Sequence, residues 1–176
     1  MSGRFLIFTD RSQQMNITFR TATADDIPLI NELAHRIWWQ HYPGIISDDQ
    51  IRYMLDKMYS PAAIAEQIAA SQKYTLIYDE GKPVGYYAIS EKSPRHYFLH
   101  KFYIDTTKHR KGIGASAFQK ILQDCQGYQE IALQVNRRNI KAVNFYFKQG
   151  FTIAFAKDFD FGGGYTMDDF WMVKKP

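Results

Sequence analysis

The tightest limit on this chain comes from two glycines set between a strand-forming run and a helix-forming one. The run His109-Arg110-Lys111-Gly112-Ile113-Gly114-Ala115 follows the strand-like segment Tyr97 to Asp105 and opens the helix-like segment Gly112 to Gln126. Its backbone amides therefore lie at a helix N-terminus, where the first turn leaves N–H groups without intrachain partners and the helix dipole adds positive character. Such a place binds phosphate, and glycine lets a ligand approach the backbone closely. Taken alone, Gly-x-Gly before a helix is more often plain turn chemistry. The run matches neither the Lys-bearing phosphate loop nor the three-glycine dinucleotide fingerprint. Four consecutive cationic or potentially cationic side chains, Lys108 to Lys111, stand beside it and favour an anionic ligand.

The rest of the chain reads as interleaved strands and helices. Asn16 to Arg20 alternates as a strand, and Thr23-x-x-Asp26 opens a helix with Ile27, Ile30, Leu33, Ala34, Ile37 and Trp38 on its apolar face. Pro43-Gly44 breaks that helix. Ser47-x-x-Gln50 is a capping box for the next, which presents Ile51, Met54, Leu55 and Met58, and Ser60-Pro61 starts a third. Lys73 to Tyr78 and Pro83 to Ser90 form a hairpin across Asp79-Glu80-Gly81-Lys82. After the Gly112 helix come a strand at Ile131 to Val135, a helix from Asn139 to Gln149, a strand from Phe151 to Lys157, the glycine loop 162–164 and a last strand from Asp168 to Lys174. No repeat or low-complexity linker interrupts the series. The pattern predicts one mixed α/β (α+β) domain over residues 16–176, with a central sheet and helices on both faces. Residues 1–15, with the brief apolar patch Phe5 to Phe8, read as an N-terminal extension, and Met15 as an alternative start.

Composition narrows the function classes. At 176 residues and 45% hydrophobic, the chain can bury a sizeable single core. Its net charge of +4 arises from 22 basic residues offset by 18 acidic ones spread along the chain, a mixed solvated surface and not a nucleic-acid footprint. No apolar run reaches the length of a membrane span. The lone Cys125 falls on the stripe Phe118, Ile121, Leu122, Cys125, so it faces the core of its helix; a single thiol is consistent with a reducing cytoplasm. The five histidines lack ligand spacing, so no metal is expected.

A second block, Asn139-x-x-Ala142-x-x-Phe145-Tyr146-x-Lys148-x-Gly150-Phe151, follows the strand at Ile131 to Val135. With this block and the glycine run, the chain resembles the GNAT superfamily of acyl-CoA-dependent N-acetyltransferases. That family's pyrophosphate loop reads Gln/Arg-x-x-Gly-x-Gly/Ala, and its later segment reads Asn-x-x-Ala-x-x-Phe-Tyr-x-x-x-Gly-Phe. Arg110, Lys111, Gly112, Ile113 and Gly114 fit the loop, whereas His109 takes the slot usually held by Gln or Arg. The resemblance runs in order over residues 16 to 174. It is nearest to the branch that includes bacterial spermidine/spermine acetyltransferases, on the insert from Trp38 to Gln67 and the closing segment Gly164-Tyr165-x-Met167-Asp168-Asp169-x-x-Met172.

The resemblance implies a mostly antiparallel sheet of about seven strands, with a cofactor cleft between two splayed parallel strands, Tyr97 to Asp105 and Ile131 to Val135. It implies acetyl-CoA as co-substrate, bound by His109, Arg110, Lys111, Gly112, Ile113, Gly114 and Ala115 at the pyrophosphate. Backbone groups of Phe102, Tyr103 and Ile104 are expected along the pantetheine arm, one amide holding the thioester oxygen, a contribution of about 3 kcal/mol to the barrier. Tyr146 is implied as general acid to the departing thiolate, although its helical spacing with Ala142 and Phe145 equally describes a core tyrosine. Asn139 is either an N-cap or a cofactor contact. His100 is a candidate base because its ordinary pKa suits the task, against which stands a purely structural role.

The acceptor is expected to be a small-molecule amine or polyamine, with no nucleic-acid or membrane partner and a homodimer as the candidate assembly. Asp48, Asp49, Asp158, Asp160, Asp168 and Asp169 are candidates for an acidic wall, and Trp38, Trp39, Tyr42 and Tyr165 for aromatic contacts with a cation. Asp48 and Asp49 also suit the first turn of their helix. Rival readings are acetylation of a peptide or protein amine, a non-catalytic acyl-CoA-binding module and a dinucleotide-dependent oxidoreductase. The last is weakened by the lack of a ribose-binding acid at suitable spacing.

Overall fold

The computed structural model describes residues 16–105, 107 and 112–176. The proposed extension, residues 1–15, and the loop residues Lys108, His109, Arg110 and Lys111 lie outside the described residues. The elements are β1 (Ile17–Thr21), a single 3₁₀ turn (Ala24–Asp26), α1 (Ile27–His41), α2 (Asp48–Tyr59), α3 (Pro61–Ala69), β2 (Lys73–Asp79), β3 (Lys82–Ser93), β4 (His96–Ile104), α4 (Ile113–Asp124), β5 (Glu130–Asn136), α5 (Ile140–Lys148), β6 (Thr152–Asp160) and β7 (Thr166–Lys174). One seven-stranded sheet runs in the order β1-β2-β3-β4-β5-β7-β6. Every neighbouring pair is antiparallel except β4 with β5.

Local chemistry explains the departures from the sequence pattern. The capping box at Thr23-x-x-Asp26 forms, with Asp26 accepting from the Thr23 N–H while also gripping the Arg20 guanidinium at 2.6 and 2.8 Å, and the helix it opens begins as a single 3₁₀ turn. Ser47 caps α2 by accepting from the Gln50 N–H. The reciprocal half of that capping box is missing, since the Gln50 amide donates at 2.6 Å to the Thr166 carbonyl on β7. The β2–β3 turn is tighter than the four residues anticipated. Glu80 and Gly81 make it alone, both at positive φ (50° and 77°), which is the backbone hand that matches strand twist in a two-residue hairpin.

The helices divide between the two faces of the sheet, and each face has its own core. On one face, Ile30, Leu33, Ile37 and Trp38 of α1 pack with Ile51, Met54 and Leu55 of α2 and Ile64 of α3 against Leu76, Tyr86 and Ala88. On the other, Ile113, Phe118 and Ile121 of α4 and Val143 and Tyr146 of α5 pack against Ile77, Tyr87, Leu133 and Met172, and the Cys125 thiol is buried among them. The apolar stripes read at helical spacing are those buried on each face.

Two clamps hold the ends of the sheet in place. Asp105, fully buried just past β4, lies 2.8 Å from the Arg36 guanidinium and accepts from Gln40 at 3.1 Å and from the Thr107 N–H and hydroxyl. Burial alone raises a carboxyl, but these hydrogen bonds and Arg36 outweigh it and hold Asp105 below its ordinary value. At the far end, the tip of the β6–β7 hairpin is tied to α2, with Tyr53 and Lys57 both donating to the Phe161 carbonyl. Gly163 at positive φ permits this, because a Cβ there would stand 2.7 Å from the Tyr53 ring.

The close approach of β3 to β4 gives a direct test. A Cβ on Gly85 would sit 2.3 Å from the Tyr103 carbonyl oxygen, a backbone atom that cannot swing aside. Gly85→Ala should therefore destabilise the fold by about 1–3 kcal/mol, read as a lower urea midpoint at unchanged m-value. An unchanged midpoint would mean that β4 shifts freely at this point.

Candidate active site

β4 and β5 pair only from His96 opposite Glu130 to Leu99 opposite Leu133. Beyond that β4 stays with β3 as far as Ile104, while β5 stays with β7 as far as Asn136. The strands part, and a cleft of about 360 Å³ opens between them. The parting begins at a bulge: Ala88 faces Lys101 and Ile89 faces Leu99, leaving His100 as the extra residue on β4. Strand N–H and C=O groups alternate between the two edges, and the Asp105 N–H donates to the Val84 carbonyl on β3. Counting back, the polar groups of Ile104 and Phe102 face the gap. His41 Nε2 donates to the Ile104 carbonyl at 3.1 Å, and the Phe102 N–H remains directed into the cleft.

The α4–α5 face supplies one wall. Gly112 precedes α4 at φ 104°, a conformation L side chains rarely adopt. Gly114 lies in the first turn, where a Cβ would be 3.5 Å from the Phe145 ring and 3.8 Å from Ile104, so a methyl fits and anything longer enters the cleft. Ile113 is buried in the core, whereas Ala115 is exposed. Asn139 is an N-cap, its side chain accepting from the Ala142 N–H at 3.1 Å, and it also lines the cleft. Tyr146 is 8% exposed, with its ring edge-on to Phe145 and Phe151 and its hydroxyl without a hydrogen-bond partner among the described residues. Burial raises its pKa, and so does Tyr42, which keeps the hydroxyl protonated across the neutral range.

The α1–α2 face supplies the other wall, and with the expected Asp169 it holds Lys101, an ionisable group that the sequence pattern did not single out. Trp38 stacks on Tyr42 at 4.2 Å, and Tyr103 and Tyr59 complete a buried aromatic cluster around them. Lys101, on β4, lines the cleft with its ammonium 4.9 Å from the centre of the Tyr59 ring. Asp169, on β7 opposite Asn136, lines it from the far side. Burial, with Asp168 beside it, raises Asp169 to about 7, partly countered by Arg137. His100 also lines the cleft, but its Nε2 is 2.8 Å from the Ser90 hydroxyl. Burial, with Lys92 and Lys101, lowers it to about 4, so it is neutral and weakly basic at pH 7.

The other expected contacts lie elsewhere. Asp49 pairs with Arg52, Asp158 with Arg137 and Asp168 with Arg138, and Asp160 accepts from the Gly162 N–H. Asp48 is in the first turn of α2. Of the six carboxylates, Asp169 alone lines this cleft. Trp39 is exposed beneath the Arg52 guanidinium, and Tyr165 packs on Tyr53. Asp169 was one of the six carboxylates proposed for the acceptor wall, whereas Lys101 carried no sequence signal as a buried charge. A Lys in an alternating strand reads as solvent-facing until the helices opposite are placed. Among the described residues no group of three or more His, Cys, Asp or Glu side chains could hold a metal, and no helix is long and apolar enough to cross a membrane.

This architecture, a sheet split between its two parallel strands with a glycine-led helix beside the gap, is that of acetyltransferases. The profile of the acetyltransferase (GNAT) domain matches residues 45–163, and the chain belongs to that family. Acetyl-CoA is the co-substrate that membership brings. The chain is 25% identical to a spermidine N(1)-acetyltransferase of Thermoplasma acidophilum over 84% of its own length and 95% of the relative's. It is 28% identical to an uncharacterized N-acetyltransferase of Mycobacterium tuberculosis over 76% and 86%. The crystal structure of the PaiA N-acetyltransferase of Thermoplasma acidophilum in complex with coenzyme A superposes with a TM-score of 0.77 at 24% identity, covering 92% of this chain and all of that one. A GCN5-related N-acetyltransferase of Rhodopseudomonas palustris follows at 0.72 and 17%, over 90% and 95%.

Asp169 makes stability depend on pH. Its folded pKa of about 7 lies above the ordinary 3.8, so from pH 4 to 7 the folded state keeps a proton that the unfolded chain has released. Stability contributed by this group therefore falls as pH rises through that window. Asp169→Asn cannot ionise. Its urea midpoint relative to the parent should rise between pH 4 and pH 8, and a pH-independent difference would show that the carboxyl ionises as freely as an exposed one.

Proposed function

We propose that this protein transfers an acetyl group from acetyl-CoA to the primary amine of a small molecule, in the cytoplasm. The reading rests chiefly on the β4–β5 gap, which presents an outward-facing Phe102 N–H between a wall of aromatic and glycine residues and a wall of buried ionisable ones. The fit to the donor is physical. The gap leaves room for an extended arm beside β4, Gly114 leaves the first turn of α4 open, and the positive φ of Gly112 allows the chain to turn close to a ligand. When bound, acetyl-CoA supplies the activated acetyl group as a thioester.

The chain's own residues then divide the work. The Phe102 N–H donates to the thioester oxygen as negative charge develops there, a preorganised dipole of the kind worth about 3 kcal/mol. Tyr146 carries the proton that the leaving sulfur takes up. For the proton leaving the acceptor ammonium, Asp169 suits the task better than His100. A group titrating near 7 is half ionised at working pH, whereas one near 4 has little affinity for a proton. The walls on both faces hold the amine against the acetyl group, so proximity supplies much of the rate. The activity named for the Thermoplasma relative supports polyamines among the acceptors, and the same donor half serves peptide amines.

Thiol release from acetyl-CoA across a panel of small amines, polyamines and N-terminal peptides tests the class. Tyr146→Phe keeps the ring packing and removes the proton, so kcat should fall about a hundredfold with little change in KM for acetyl-CoA. A near-normal kcat in the folded variant would leave Tyr146 as a packing residue. Failure of the parent to turn over any amine while binding acetyl-CoA would favour a sensor. Gly114→Glu should fold, because its side chain projects into the cleft, yet lose acetyl-CoA affinity by calorimetry; full affinity would move the donor away from α4.

A further inference from the structure

Lys101 is a cation without an anion. It is 7% exposed, it lies between the His100 bulge and Tyr103 on β4, and its one close interaction among the described residues is with the Tyr59 ring. An ammonium held out of water without a counter-ion is costly, more than a cation–π contact offsets. Burial lowers it to about 8, which still leaves it mostly protonated at neutral pH. A second donor of the same cleft is also unpaired: the Trp38 indole N–H is buried without a hydrogen-bond partner. Ammonium and indole can only donate, so the missing partner is an oxygen-bearing anion.

Across the gap, Asp169 has its own Oδ1 buried and unpartnered. By strand alternation Lys101 shares a face with Tyr103, and Asp169 shares that same face with Met167, which packs in the α1–α2 core. One unpaired cation and one unpaired carboxylate oxygen thus line a single chamber. A polyamine would bring a second ammonium toward Lys101, where charges repel and no carboxylate compensates.

We infer that the acceptor is an aminocarboxylate, with its anionic group on Lys101 and its amine directed to Asp169. This rests on the acetyl-transfer reading above and narrows its substrate class. Thiol release is measured with the twenty free amino acids, their carboxamides, putrescine and spermidine. The best amino acid should exceed its own amide at least tenfold in kcat/KM. Lys101→Met, which fills the same space without charge, should bring that ratio toward one mainly through KM, and Lys101→Arg should restore part of it. An amide or polyamine used as well as the acid, or a ratio that Lys101→Met leaves intact, overturns the inference while acetyl transfer stands. Absence of turnover with every amine removes the transfer reading instead. Calorimetric titration of the amino acids then decides the inference alone: binding to the parent and not to Lys101→Met supports it, and no binding to either overturns it.

Discussion

Where β4 leaves β5, two strand edges lose their hydrogen-bond partners in the middle of a sheet, and the molecule has to satisfy them without closing the gap. Buried backbone N–H and C=O groups are rarely left unpaired, because each costs about as much as a lost hydrogen bond. The solution here is partial. His41 reaches from the end of α1 to the Ile104 carbonyl, and the bulge at His100 absorbs the change of direction where the parting begins. The Phe102 N–H is left for a ligand. In the proposed function an extended molecule lying along β4 completes the sheet as a strand would, and the defect in the ladder serves as the binding site.

The second consequence of the gap is that it joins the two faces of the sheet. Each face has its own core, one under α1 to α3 and one under α4 and α5, and elsewhere the sheet keeps them apart. At the gap they communicate. Tyr146 belongs to the α4–α5 core, whereas Lys101, Asp169, Trp38 and Tyr42 belong to the other side, yet all line one cleft. In the proposed function this lets donor and acceptor enter from different faces and meet where the strands part. The buried ionisable groups Lys101 and Asp169 are on the α1–α2 side, whereas the α5 side presents Phe145, Tyr146 and the exposed Lys141.

Rigidity around the gap comes from its edges. Asp105 binds α1 to the end of β4 through Arg36 and Gln40, just before the chain turns toward α4. Gln50 and Tyr53 of α2 hold β7 and the β6–β7 turn. These contacts fix β4 on one side and β7 on the other, so the separation of Lys101 from Asp169 is set by elements and not by loops. A site held this way suits chemistry that depends on orientation, since small displacements of a reacting pair are expensive.

Periodicity in the sequence was enough to place seven strands and five helices, because each stripe of apolar residues is read within one element and local propensity agrees with it. Gly112 and the Phe145-Tyr146 pair were likewise legible as a turn before a helix and as a helix face, since a positive φ and an apolar stripe are local facts, and Phe145 and Tyr146 line the cleft. The limits were equally physical. Gln50 abandoned its capping box for a carbonyl 116 residues away, and four of the six aspartates found arginines or a backbone amide instead of the cleft. Lys101 and Asp169 alternate along their strands like any surface residue, and nothing near them in sequence says that α1 and α2 will cover them. What the chain alone determined was which residues form elements and which face of each is apolar; the packing of helices over a parted sheet decided which charges would be buried, because burial depends on neighbours that come from distant parts of the chain.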